Sequence, residues 1–218
     1  MKVSDAVMSR RSIRAFTAEP VENAQLRRLL EKAARAPSGG NVQPWRVYVI
    51  NGPSMQRFRD FLATRTAPET PAYAIYPENL KEPYRSSRFK VGEDMYALLG
   101  IPREDRGARI RRLMENYNFF GAPAALFCFV DSQMGPPQWS DLGMFLQTFM
   151  LLAREAGLDT CAQEAWSTRP ETVAEFVDAP KELMIFCGMA IGHGDPQAPV
   201  NTLVSDREPL DVWATFLD

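Results

Sequence analysis

Histidine is almost missing from this chain: His193 stands alone among 218 residues. That excludes a multi-histidine metal centre, and any serine–histidine or cysteine–histidine scheme would hang on one side chain. Gly192, Gly194, Asp195 and Pro196 surround it, so it reads as a loop residue and no metal site is expected. Cysteine is also scarce. Cys128, Cys161 and Cys187 have neither metal nor redox spacing, and two of them sit in apolar runs. They read as reduced, buried thiols of a cytoplasmic protein. No apolar run approaches the roughly 18 residues that cross a bilayer. The first residues lack an apolar signal region, so neither membrane insertion nor export is expected. Net charge is only −2, which makes no overall case for nucleic-acid binding. Walker A loops, a G-x-G-x-x-G after a strand and a G-x-S-x-G elbow are all missing.

What is present is a good core-former. Hydrophobic residues make up 45% of the chain, enough to bury a sizeable core in a single domain spanning 1–218. Ser4 and Asp5 predict the cap of a short helix ending near Arg10. After Pro20, the spacing of Leu26, Leu29, Leu30, Ala33 and Ala34 predicts an amphipathic helix. Residues 46–50 read as a strand and 55–62 as a helix. Residues 124–130 and 183–191 are continuous apolar runs, expected to be strands covered on both faces. Between the last two runs, residues 140–156 form a helix that is apolar almost all round, which suits a deep core or, in a chain this small, an interface with a second copy. Gly157 stops that helix, and 171–177 reads as a short one. Strands separated by helices make the class α+β or α/β.

Residues 65–118 look like an excursion from this pattern. Pro68, Pro71, Pro77 and Pro83 alternate with Tyr73, Tyr76 and Tyr84, which is irregular but too aromatic for a disordered linker. Helices are expected at about 88–99 and 104–116, broken by Gly100-Ile101-Pro102. Nine Lys/Arg against five Asp/Glu between 81 and 112 make this segment locally basic. It can be a solvated face, or a cover that draws anionic ligands to a site.

Two short stretches carry chemistry. Arg10-Arg11-Ser12-Ile13-Arg14 puts three arginines and a hydroxyl within five residues, a set that can grip phosphate through forked, charge-assisted hydrogen bonds. Pro37-Ser38-Gly39-Gly40-Asn41-Val42-Gln43-Pro44-Trp45 lies between a helix and a strand. Its paired glycines allow a positive φ or a close backbone approach to a ligand. Taken together, the two stretches resemble the motifs of the nitroreductase family of flavin enzymes. Gly157-Leu158-Asp159 leading to Gln163-Glu164-Ala165-Trp166, and Arg207 near the C-terminus, fit the same family in the same order along nearly the whole chain.

The resemblance implies an α+β fold: a mixed sheet flanked by helices, in an intertwined homodimer with two FMN sites at the interface and a strapping tail at 208–218. It implies that Arg10, Ser12 and Arg207 hold the FMN phosphate and ribityl chain, and that Arg14 reaches the pyrimidine edge. Pro37, Ser38, Gly39 and Asn41 would come from the partner, and Gln163, Glu164 and Ala165 would face the isoalloxazine. Many relatives carry a lysine where this chain has Ser205, a loss for which Arg11 can compensate. Asn116 and Asn118 both suit an asparagine expected near the pyrimidine ring, with Asn118 preferred. The excursion resembles that of the nitrobenzoate and nitroarene reductases, which implies ping-pong two-electron reduction of a nitro group by NADH or NADPH. The flavin would carry the chemistry, so no catalytic side chain is expected. Tyr84, Arg85 and Arg88 would meet the substrate. Other readings are a reductive dehalogenase using Glu82, Tyr84 and Lys90, a quinone or enone reductase, or a flavin-binding module without turnover.

Overall fold

The structure, a computed structural model, describes residues 1–217, so the last residue of the expected tail, Asp218, lies outside the described residues. Four strands form one sheet: β1 (Arg46–Asn51), β2 (Ala124–Asp131), β3 (Asp159–Gln163) and β4 (Leu183–Gly192), in the order β1-β2-β4-β3. All three pairings are antiparallel. The parallel component comes from the N-terminal arm. Ser12 bridges Thr160 in parallel, the Ile13 amide donates to the Thr160 carbonyl at 3.0 Å, and Phe16 bridges Gly194. The arginine motif is thereby stitched along the free edge of β3.

β2 is buried along nearly its whole length, as its apolar run predicts. Its side chains alternate between two cores. Leu126, Cys128 and Val130 meet α2 (Asn23–Ala33) and α6 (Pro136–Glu155) on one face. Phe127 and Phe129 meet α3 (Pro53–Ala63) and α7 (Pro170–Val177) on the other. That second core is built around Trp166, which is fully buried. Phe58, Phe119, Phe127 and Tyr117 surround it, with ring centroids 5.3, 4.7, 5.3 and 5.2 Å away.

Several boundaries differ from the sequence reading. α1 (Val3–Ser9) begins before Ser4; Asp5 lies inside it and accepts from the Lys2 amide at 3.2 Å. The helices of the excursion are α4 (Tyr84–Leu98), which starts four residues early, and α5 (Arg106–Met114), which gives way to 3-10 turns over Glu115–Gly121. α6 starts at Pro136, because proline at the first helical positions costs no hydrogen bond. β3 was not anticipated at all. A last short helix, α8 (Leu210–Trp213), leaves Trp213, Phe216 and Leu217 exposed.

α6 organises the domain. Leu142, Phe145, Leu146, Phe149 and Ala153 point inward, and Trp45 stacks on Phe145 at 4.9 Å. The opposite side of the helix, with Gly143, Met144 and Gln147, is open. No helix among the described residues is long and apolar enough to cross a membrane.

Candidate functional site

Pinned to β3, the N-terminal arm turns its arginines into a cavity of about 640 Å³. Arg10, Arg11, Ser12 and Arg14 line one side of it, and Ser205 and Arg207 the other. No aspartate or glutamate among the described residues lines it. Among the described residues, none of Arg10, Arg11 and Arg14 pairs with a carboxylate. Arg14 is held through its backbone: its amide donates to Asn201 Oδ1 at 2.8 Å, and its carbonyl accepts from Arg112 at 2.8 Å. Burial pushes the Arg112 pKa down, and its guanidinium lies 5.3 Å from the Phe120 ring centroid. Arg207 donates to the Ser205 hydroxyl at 2.8 Å and to the Asp206 carbonyl at 2.7 Å. Ser205 therefore braces the neighbouring arginine without adding a charge of its own. The result is a concentration of fixed positive charge with free donors, suited to an anion such as a phosphate monoester.

Gln147 on α6 lines this cavity and also a second one of about 560 Å³. Tyr73, Trp139 and Phe186 wall the second cavity, with ring centroids 5.4 Å (Tyr73–Trp139) and 5.7 Å (Trp139–Phe186) apart. The Tyr73 hydroxyl donates to the Phe186 carbonyl, and burial raises its pKa further. Glu164 and Cys187 complete the lining. Burial raises the Glu164 carboxyl above its usual range and pushes the Cys187 thiol up to about 12.

Glu164 and Ala165 sit in a 3-10 turn, Glu164–Thr168, directly after β3. Trp166 anchors that turn in the core. Gln163 is turned inward: its Nε2 donates to the Asn116 carbonyl at 2.7 Å, and its Oε1 lies 3.4 Å from Trp166 Nε1. The Thr168 hydroxyl donates to the Ala165 carbonyl at 2.8 Å. Of the two candidate asparagines, Asn116 is thus joined to this turn, whereas Asn118 points to Glu115 on the exposed side at 3.4 Å.

The Pro37–Asn41 stretch is elsewhere. Asp141 near the start of α6 accepts from the Gly39 amide at 3.2–3.3 Å, while Arg154 near its end donates to Ser9 Oγ at 3.2 Å and Asp159 at 3.0 Å. At 1.5 Å per residue those anchors are roughly 20 Å apart. Within one chain, Pro37, Ser38, Gly39 and Asn41 line neither cavity. Gly40, with φ 55°, takes the left-handed conformation expected of this loop, as do Asn41 and Gln43.

Nor do the residues proposed to touch substrate converge on these cavities. Tyr84 is 67% exposed, Arg85 pairs with Glu82 at 2.7 Å, and Arg88 stacks over Tyr76 at 4.1 Å. Lys90 pairs with Asp94 at 2.6 Å and Asp206 at 3.3 Å. Arg85 and Lys90 are thus engaged by carboxylates and Arg88 by an aromatic ring, and Glu82, Tyr84 and Lys90 line neither cavity. His193 lies in the turn after β4, 3.5 Å from Glu19, and the described residues contain no cluster suited to a metal. The sequence reading missed Tyr73, Trp139 and Phe186, whose only signal was an aromatic residue next to Pro-rich or apolar chain.

A helix-covered antiparallel sheet with a cationic cavity and an aromatic one that share Gln147 as a wall residue is the frame of a protein that holds an anionic ligand beside a flat, apolar one. The nitroreductase family model matches residues 7–193. The chain is 35% identical to the 4-nitrobenzoate reductase of Pseudomonas putida over 98% of its length and 95% of the relative's. It is 34% identical to the nitrobenzene nitroreductase of Ectopseudomonas oleovorans over 99% and 96%. The crystal structure of the FMN and NADPH-dependent nitroreductase NfnB from sphigopyxis sp. strain HMH superposes with a TM-score of 0.96 over the whole of both chains, at 44% identity. This chain belongs to the nitroreductase family.

Proposed function

We propose that this protein is an FMN-dependent oxidoreductase that uses NAD(P)H to reduce nitroaromatic compounds. One observation carries the reading: among the described residues, arginines without carboxylate partners, together with Arg207, line a cavity that shares Gln147 with an adjoining aromatic cavity. FMN, with one phosphate at the end of a planar ring system, fits that succession of charge and apolar wall. When bound, FMN supplies two-electron redox chemistry between the nicotinamide and the nitro group. Arg10, Ser12 and Arg207 hold the phosphate and ribityl chain, with Arg11 adding charge where Ser205 adds none. Arg14 presents a fixed cation to the pyrimidine edge, stabilising negative charge there. The amides of Glu164 and Ala165 face the ring, and Asn116, tied to Gln163, suits the asparagine role better than Asn118. Tyr73, Trp139 and Phe186 stack and shield the aromatic substrate.

The working unit in this reading is a homodimer of single-domain chains, each with the excursion at 65–118 and the tail at 208–218. The arginine arm and the Gly39 loop are anchored near opposite ends of α6, too far apart to share a ligand within one chain. Two copies related by a twofold axis across the open face of α6 would bring one chain's loop to the other's arginines. Exposed Trp213, Phe216 and Leu217 also need apolar cover. A cytoplasmic location suits a consumer of NAD(P)H with three reduced thiols.

Titration with FMN tests the site. Arg10→Ala and Arg207→Ala should each cost about 1.5–3 kcal/mol, or roughly 10- to 150-fold in affinity. Wild-type affinity in both variants would remove these residues from the site. Rapid flavin reduction by NAD(P)H, followed by reoxidation with nitrobenzene, separates the enzyme from a flavin-storage module. Sedimentation of a stable, flavin-loaded monomer at micromolar concentration would refute the shared site.

A further inference from the structure

Among the described residues, Glu164 is the one acidic residue that lines the aromatic cavity, and no lysine or arginine lines it. Its carboxylate has no hydrogen-bond or ion-pair partner among the described residues. The other ionisable groups on the cavity wall are the Tyr73 phenol and the Cys187 thiol, both held neutral by burial. Of the arginines in the neighbouring cavity, Arg10, Arg11 and Arg207 would face a cofactor phosphate and be screened by it, and Arg14 would be engaged by the pyrimidine edge of the ring. Arg85 and Arg88, the excursion cations expected to attract acids, are engaged by Glu82 and Tyr76.

We propose that Glu164 is a charge filter, setting this cavity to favour neutral or cationic aromatic ligands over carboxylated ones. The proposal rests on the nitroarene-reductase reading for what the ligand becomes, but not for the filter itself. Glu164 is exposed in the single chain, so a ligand carboxylate beside Tyr73, Trp139 and Phe186 is repelled across partly wet space, most strongly at low salt, and no cation lines this cavity among the described residues. A neutral ring of the same size pays no such cost. An amine-bearing ring gains a partner for an otherwise unpaired carboxylate. By this logic the chain should handle nitrobenzene better than 4-nitrobenzoate, although relatives named for each substrate are about equally similar to it.

Binding of benzamide, benzylamine and benzoate to the purified protein, measured by isothermal titration calorimetry, tests the filter without requiring turnover. Benzamide and benzylamine should bind about tenfold or more tightly than benzoate at low salt. Glu164→Gln keeps the shape and removes the charge, and should bring benzoate within about threefold of benzamide. Arg88→Glu should leave the gap as it is. The filter is wrong if benzoate binds as tightly as benzamide to the unaltered protein, if the gap survives Glu164→Gln, or if Arg88→Glu moves it instead. Flavin content and nitrobenzene turnover of the same preparation report separately on the proposed function.

Discussion

Replacing Gly188 by alanine should damage both the core and the site. Gly188 lies in β4, opposite Phe127 on one side and Gln163 on the other. A Cβ there would lie 2.2 Å from Cδ1 of Trp166, 2.8 Å from its Nε1 and 3.0 Å from its Cγ, where ordinary contact begins near 3.4 Å. The indole would have to retreat by more than an ångström. Phe119 stacks on it at 4.7 Å, and Phe58, Phe127 and Tyr117 close the other sides, so no free volume is available. Overpacking costs about 1–3 kcal/mol where a core can adjust. Here the obstacle is the body of a rigid ring, so a loss of about 3 kcal/mol or more is expected. For a chain of this size that lowers the midpoint of thermal unfolding by about 6–12 °C. Because Trp166 anchors the Glu164–Thr168 turn, FMN affinity should fall as well. Guanidinium unfolding of Gly188→Ala, Trp166→Ala and the double variant measures this directly. The double variant should recover at least about 1 kcal/mol relative to the sum of the single losses. Stability of Gly188→Ala within about 0.5 kcal/mol of the original would refute the packing argument.

Two further outcomes follow from buried groups. Asp141→Ala should cost about 1–2 kcal/mol by leaving the Gly39 amide without its acceptor, and should speed amide exchange at Gly39; unchanged exchange there would mean the loop is held by other contacts. The Cys187 thiol ionises near 8.5 in the unfolded chain but only near 12 in the fold. Its raised pKa contributes stability that is complete below about pH 8.5 and is lost as pH rises toward 12, by up to about 1.4 kcal/mol per pH unit. Cys187→Ala should therefore lose stability less steeply between pH 9 and 10.5, whereas parallel curves for the two proteins would contradict this.

The arginine motif and the Pro37–Asn41 loop stood out by side-chain chemistry, because phosphate-gripping arginines and permissive glycines announce themselves locally, whereas the Gln163–Ala165 turn was singled out only by the family resemblance. So were α2, β2 and β4, whose apolar spacing or continuity reflects how each buries its own surface. β3 was not legible. Asp159-Thr160-Cys161-Ala162-Gln163 is a short mixed run, and it becomes a strand by pairing with β4 and with Ser12 of the N-terminal arm. The two readings of the basic excursion stayed open for a related reason: composition counts charges but cannot show that Arg85, Arg88 and Lys90 are already engaged by Glu82, Tyr76, Asp94 and Asp206.

The sequence by itself determined which residues could bind a phosphate, which segments had to be covered, and which family the chain resembles. Each of those rests on the chemistry of single residues or on spacing within one element. The tertiary structure alone decided that Gly39 and Ser9 are anchored near opposite ends of α6, that Asn116 rather than Asn118 meets Gln163, and that Glu164 is the one carboxylate on an aromatic wall among the described residues. These depend on contacts between residues from 47 to more than 100 positions apart along the chain, which packing selects and local pattern does not encode.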